Sequence, residues 1–155
     1  MNIARMAKYQ SGFTLLEVLV AMIVLSIGLL GLSGLQTSSL RSNHSAFMRS
    51  QATTLTMDIM DRMRANREGA VAGSYNINRS ASASSSGCNA NCTTGQVAQN
   101  DLYQWRSMVE RLPGGESEVN VTADGVASVT VWWIDYRPGS TAADREGKAE
   151  MRSSI

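Results

Sequence analysis

Lys8-Tyr9-Gln10-Ser11-Gly12-Phe13-Thr14-Leu15-Leu16-Glu17, followed by Val18-Leu19-Val20-Ala21-Met22-Ile23-Val24-Leu25-Ser26-Ile27-Gly28-Leu29-Leu30-Gly31-Leu32, decides how the rest of the chain is organised. Residues 18–40 are 23 residues without a charge. At 1.5 Å per residue, a helix of that length spans roughly 35 Å, enough for the hydrocarbon core of a bilayer. Arg5 and Lys8 precede it with no acid among residues 1–12, which places the N-terminus on the cytoplasmic side. A buried core helix of this length would carry a polar stripe, and none is present until after Leu35. A secretory signal peptide would have a shorter apolar run with small residues behind it, whereas here Gly12 stands in front. Glu17 sits inside the front of the run. A carboxylate at the bilayer centre costs on the order of 3 kcal/mol, and less near the interface, so Glu17 calls for a partner or interfacial water.

The whole chain has 155 residues, with 14 Lys+Arg against 13 Asp+Glu and a formal net charge of +1. That balance gives no support to nucleic-acid binding by bulk charge. One histidine, His44, excludes a multi-histidine metal site, and two cysteines exclude a disulfide-dense scaffold. No nucleophile–base constellation accompanies His44, so no enzyme, catalytic residue, cofactor or metal site is expected. The 43% apolar content resembles a soluble protein only because a membrane-length span is averaged with a polar remainder.

No proline occurs before Pro113. Met48, Ala52, Leu55, Ile59 and Met63 fall at helical spacing on one face, with Asp58, Asp61, Arg62 and Arg64 mostly off it. One helix from about Thr14 to about Asn66 is therefore expected, with Gly69 as its stop. Its apolar stripe is expected to pack on a C-terminal head; a methionine-rich ligand surface is the alternative. Arg62, Arg64 and Arg67 read as a solvated cluster that complements the helix C-terminus. Gly28, Gly31 and Gly34 recur in the apolar half, where glycine weakens a helix and also permits close helix approach.

Of the 32 residues 69–100, 23 are Ala, Ser, Gly, Asn or Thr, which predicts a long loop. Leu102, Trp105, Val109 and Leu112 then have helical spacing, with Asn100 or Asp101 as cap and Pro113-Gly114-Gly115 as stop. Residues 118–122 alternate, Asp124-Gly125 marks a turn, and residues 126–136 are rich in β-formers. Val119 and Val121 share one face, as do Val129, Val131 and Trp133; Trp132 and Ile134 lie opposite. Trp132, Trp133 and Tyr136 suit a carbohydrate or partner surface, or plain packing. Residues 147–152 form at most an edge strand. The acids Glu116, Glu118 and Asp124, or Asp144 and Glu146, suggest a calcium loop or solvated positions.

The basic leader, residues 12–17 and the span behind them resemble the processing site of type IV pilins and type II secretion pseudopilins. The resemblance implies that a prepilin peptidase/N-methylase cuts between Gly12 and Phe13 and methylates Phe13. It implies that Glu17 registers subunits by neutralising a neighbour's ammonium; pairing with its own Phe13 ammonium remains the alternative. Removing residues 1–12 leaves 143 residues and 12 basic side chains against 13 acids, a side-chain charge of −1. The implied fold is α+β, the type IV pilin fold: a long N-terminal helix, membrane-spanning in its first half, on a small antiparallel sheet. Its segments are a leader (1–12), a transmembrane and filament-core helix (13–35), an amphipathic helix (36–68) and a head (69–155). The resemblance also implies that the glycine stretch is where the helix would melt locally in a filament. With the head in the periplasm, Cys88 and Cys92 are expected as a disulfide worth roughly 2 kcal/mol. A half zinc site or a redox pair is the alternative, although the spacing is one longer than Cys-x-x-Cys.

Ile27-Gly28-Leu29-Leu30-Gly31-Leu32, Arg49-Ser50-Gln51-Ala52, Asp61-Arg62-Met63-Arg64-Ala65-Asn66 and Asp101-Leu102-Tyr103-Gln104-Trp105 are similar to the PilV group of minor pilins. That similarity implies a non-enzymatic subunit that primes assembly, sits at the pilus tip and supports pilus biogenesis, twitching motility and adhesion. The implied partners are other minor pilins, the major pilin, the inner-membrane assembly machinery and, before assembly, membrane lipid; direct nucleic-acid binding is not expected. The implied course runs from the bacterial inner membrane to the cell-surface pilus. A type II secretion minor pseudopilin, or a membrane-anchored ligand-binding head, is the alternative.

Overall fold

The computed structural model describes residues 12–88, 90–137, 141 and 144–155, so the expected leader lies outside it except for Gly12. In chain order the elements are helix α1 (Leu15–Ala65), helix α2 (Arg67–Val71), helix α3 (Thr94–Val109) and strands β1 (Glu116–Val121), β2 (Val126–Ile134) and β3 (Glu146–Ser154). Contacts divide the chain into two units, one ending at Ser39 and one spanning Leu40–Ile155.

The first unit is the apolar part of α1. Its large apolar side chains, from Leu15 to Leu35, are all exposed. Two of its polar side chains bond back within the helix: Ser26 Oγ donates to the Met22 carbonyl at 2.7 Å and Thr37 Oγ1 to that of Ser33 at 3.0 Å. The helix runs through Gly28, Gly31 and Gly34, and a Cβ at any of them would meet nothing within 4 Å. Within this unit the glycines therefore relieve no clash.

In the second unit, α1 buries Ser45, Met48, Ala52, Thr56, Ile59, Met60 and Met63, with Leu55 packed at the margin. The expected stripe is present, and its core partners include Trp105 and Val109 of α3 and Val129, Val131 and Trp133 of β2. Fully burying a large apolar side chain is worth about 1.5–3 kcal/mol, so this shared cluster is the head's main source of cohesion.

Gly69 does not stop the helix. It lies buried inside α2, where a Cβ would come within 2.7 Å of Asn66 Nδ2 and 2.9 Å of the Thr94 carbonyl oxygen. Its missing side chain lets α2 approach the start of α3. The turn comes at Gly73, whose φ of +79° is the left-handed conformation that ends helices.

Residues 69–100 are likewise not one loop. α3 begins at Thr94, and its cap, Thr93, stands seven or eight residues before the expected cap at Asn100 or Asp101. Thr93 Oγ1 accepts from the Gln96 backbone N–H at 3.3 Å, and Gln96 Oε1 accepts from the Thr93 N–H at 2.9 Å. This reciprocal capping box pays for starting a helix inside a polar, small-residue segment.

The sheet is antiparallel with order β1-β2-β3, so β2 is paired on both sides. The expected turn after β1 is a three-residue hairpin loop closed by Thr122 N–H to the Val126 carbonyl at 2.9 Å, with Gly125 left-handed at φ +79°. Ile77 pairs with Val119 through two backbone bonds of 2.9 and 3.0 Å, which covers part of the outer edge of β1. β3 is longer than residues 147–152. Gly147 faces Trp133 across the strands, and a Cβ there would lie 2.2 Å from the indole. β3 thus exists by fitting β2 rather than by its own propensity, as strands often do.

Gly147→Val should lower stability by about 1–3 kcal/mol, because the added methyls must displace a buried ring. Chemical denaturation of the detergent-solubilised chain checks this; an unchanged midpoint would show that the Trp133 ring gives way freely.

Candidate functional site

The start of α1 is built by Thr14. Its Oγ1 accepts from the Glu17 backbone N–H at 3.2 Å, and its carbonyl accepts from Glu17 and Val18 at 3.1 and 3.3 Å. Thr14 is therefore the cap, and Glu17 is the third helical residue, the position an acid takes in a Thr-x-x-Glu start. There the helix dipole favours an anion by about 0.3–1 kcal/mol. Glu17 lies on an apolar groove of about 470 Å³ with Phe13, Val18, Ala21, Met22 and Leu25. No cation pairs with it among the described residues. Gly12 and Phe13 precede the helix in irregular backbone, and Phe13 is 84% exposed. The site thus offers a carboxylate beside apolar surface, one turn from the backbone nitrogen of Phe13.

The head is tied together by polar contacts that periodicity does not reveal. Asp101 of α3 accepts from Tyr75 Oη at 2.5 Å and from Arg62 Nη1 at 3.1 Å. Arg62 also bonds Asp58 at 3.0 Å and Gln104 at 3.1 Å, while Asn66 Nδ2 donates to the Thr94 carbonyl at 2.8 Å. Burial, and then the bond to Asp101, push the Tyr75 phenol far above its ordinary value. Trp105 Nε1 donates to the Leu55 carbonyl at 2.8 Å, locking α3 onto α1. Asp135, just after β2, accepts from Ser45 Oγ at 2.9 Å and pairs with Arg137 at 3.0 Å. Arg106 is 7% exposed and donates to the carbonyls of Asn78, Arg79 and Ser117; desolvation pulls its guanidinium below the usual arginine value.

The arginines at the end of α1 and the start of α2 are not merely solvated. Arg62 joins the Asp101 network, Arg64 bonds Asp61 and Ser153, and Arg67 bonds the Ile155 carbonyl at 3.1 Å. Cys88 and Cys92 form a disulfide with a Cα–Cα distance of 5.8 Å, inside the connection between α2 and α3. Among the described residues no group of three His, Cys, Asp or Glu side chains could hold a metal. Of the acids considered for calcium, Glu116 and Glu146 do come together, but on Arg79. Asp124 sits in the exposed hairpin, where the Thr122 hydroxyl lowers its pKa. Trp133 is core, whereas Trp132 lies under Arg79 on the outer sheet face. Arg79 appeared in the sequence only as an isolated charge in a small-residue stretch, so no pattern marked its role.

Residues 7–33 match the prokaryotic N-terminal methylation motif, and residues 34–103 match the family described as type IV pilin Tt1218. The two matched stretches are consecutive, and the long helix on a three-stranded antiparallel sheet is an α+β architecture consistent with the type IV pilin fold. The motif implies prepilin peptidase processing and a pilus-assembly context. No curated protein and no solved structure matches the chain.

Tyr75 keeps its proton in the folded state, whereas the unfolded phenol titrates at about 10. The stabilisation it contributes is complete below that pH and is lost as pH rises above it. Asp101→Asn should cost about 1–3 kcal/mol and bring the latest tyrosinate absorbance step to lower pH. An alkaline absorbance titration in which wild type and variant coincide would remove Asp101 from this role.

Proposed function

We propose that this chain, a type IV pilin subunit, is a minor pilin of the PilV group that primes pilus assembly and enters the filament at its tip. The observation that carries the proposal is the start of α1: a Gly12-Phe13 junction, a Thr14 cap and a first-turn Glu17 open a helix whose large apolar side chains from Leu15 to Leu35 are all exposed. Cleavage between Gly12 and Phe13 creates an ammonium there, and methylation leaves it charged. A helix with exposed apolar side chains is at home only in lipid or among other such helices. The basic residues Arg5 and Lys8 then hold the N-terminus in the cytoplasm and send the head to the periplasm.

Glu17 registers the subunit. Lone, it is costly in the membrane; opposite a neighbour's Phe13 ammonium, both charges are compensated where the dielectric is low. A subunit one step out of register loses the pair and leaves two unpaired charges. The local cap and dipole hold Glu17 in place in the free subunit without consuming its charge. The head then meets the other minor pilins and the major pilin, with no catalytic step.

Glu17→Ala should still be cut after Gly12 but enter sheared pili at least about tenfold less, the loss expected for a pair worth 1.4 kcal/mol or more. Normal incorporation would refute charge registration. Deleting the gene should reduce surface piliation and twitching. Intact piliation with failed exoprotein export would instead assign the chain to a secretion pseudopilus.

A further inference from the structure

The outer face of the sheet carries a second constructed feature. Arg79 reaches from the connection between α2 and α3 and lays its guanidinium over the Trp132 ring, 4.4 Å from the centroid. Glu116 on β1 and Glu146 on β3 hold it there, each at 2.5 Å. Those two carboxylates raise the Arg79 pKa further. Beside them Arg145 stands 5.6 Å from the centroid of the Tyr136 ring. These six side chains line an open cleft of about 500 Å³. That volume falls in the range of small-ligand sites.

The chemistry of the walls narrows the ligand. Two guanidinium groups and two carboxylates cancel, so the cleft has no net charge to draw in a charged ligand. An anion meets Glu116 and Glu146, and a cation meets Arg79 and Arg145. A wholly apolar ligand would strip water from four charged groups without replacing its hydrogen bonds. Each glutamate spends one oxygen on Arg79, Glu116 its Oε2 and Glu146 its Oε1, which leaves the other oxygen as an acceptor. Trp132 and Tyr136 supply ring surface, and Tyr136 is 56% exposed. Guanidinium donors, carboxylate acceptors and aromatic surface around a neutral volume complement a molecule with an apolar C–H face and a rim of hydroxyls.

We propose that this cleft binds a short neutral saccharide. Hydroxyls donate to the free oxygens of Glu116 and Glu146, the Arg145 guanidinium donates to ring or hydroxyl oxygens, and the C–H face lies against Tyr136 and the edge of Trp132. Buried Arg106 holds the Asn78 and Arg79 carbonyls, so the backbone that carries the Arg79 side chain is set before a ligand arrives. Preorganisation of this kind saves ordering entropy on binding. The site lies on the head and does not depend on which filament the chain enters.

The full chain, held in a detergent without a sugar headgroup, is titrated with lactose, maltotriose and N,N′-diacetylchitobiose, and separately with trigalacturonate. The Trp132 indole N–H and Arg79 Nε–H resonances report binding. At least one neutral sugar should shift both saturably. Glu146→Gln and, separately, Tyr136→Ala should each weaken that binding at least about tenfold, the scale of one charge-assisted hydrogen bond or a lost ring contact. Tyr136→Ala leaves the Arg79 clamp intact, so its result does not depend on the clamp surviving. The proposal is overturned if none of the neutral sugars gives a saturable shift, if only trigalacturonate binds, or if either variant binds as tightly as the wild type.

Discussion

The head leans on one covered stripe. Met48, Ala52, Thr56, Ile59, Met60 and Met63 follow one another along α1, and none can be left in water without losing the helix its reason to stop wandering. An isolated amphipathic helix has too little local stability to hold itself in water, so tertiary cover supplies what propensity does not. Trp105, Trp133 and the valines of β2 are that cover, and they constrain everything else. α3 must present Trp105 to the Leu55 carbonyl, and β3 must put Gly147, not a larger residue, beside Trp133. In its apolar half the same helix has no such stripe: its large apolar side chains from Leu15 to Leu35 are exposed all round.

A core this small leaves several polar groups inside, and each of those described above has been given partners. Asp101 accepts from two elements at once, so the end of α1, Tyr75 and α3 are joined through one carboxylate. Arg106 uses carbonyls instead of an acid. That choice has a consequence outside the core: the carbonyls belong to Asn78, Arg79 and Ser117, so a buried cation anchors the segment from which Arg79 crosses the sheet. Core satisfaction and the shape of the outer cleft are therefore parts of one arrangement.

The long helix was legible to within a residue at either end, because uninterrupted apolar content and then the spacing of Met48 to Met63 admit one period only. The hairpin at Asp124-Gly125 was equally plain, since Gly125 takes a conformation that other residues avoid. The start of α3 was hidden by composition. Thr93 and Gln96 form a recognisable cap, but they stand in a stretch so rich in small residues that a loop was the natural expectation. Gly69 looked like a helix stop for the same reason that Gly73 is one; only the Thr94 carbonyl close against it shows that Gly69 serves packing. β3 was faint because a sequence rich in charges and small residues has little strand propensity of its own. At the helix start, Gly12, Phe13 and Glu17 stood out because they are local chemistry. The meeting of Glu116 and Glu146 on Arg79 did not, since the two glutamates lie 37 and 67 residues along the chain from it.

By itself, then, the sequence determined the membrane-length helix, its acidic start, the stripe that needs a head, and the hairpin, because each rests on residues close together along the chain. The tertiary structure decided where α3 begins, that β3 completes the sheet, that the terminal arginines of α1 are ties rather than solvated charges, and that two distant glutamates clamp Arg79 over Trp132. Those outcomes depend on side chains from separate elements meeting in space, where burial turns a weak local preference or an isolated charge into a defined contact.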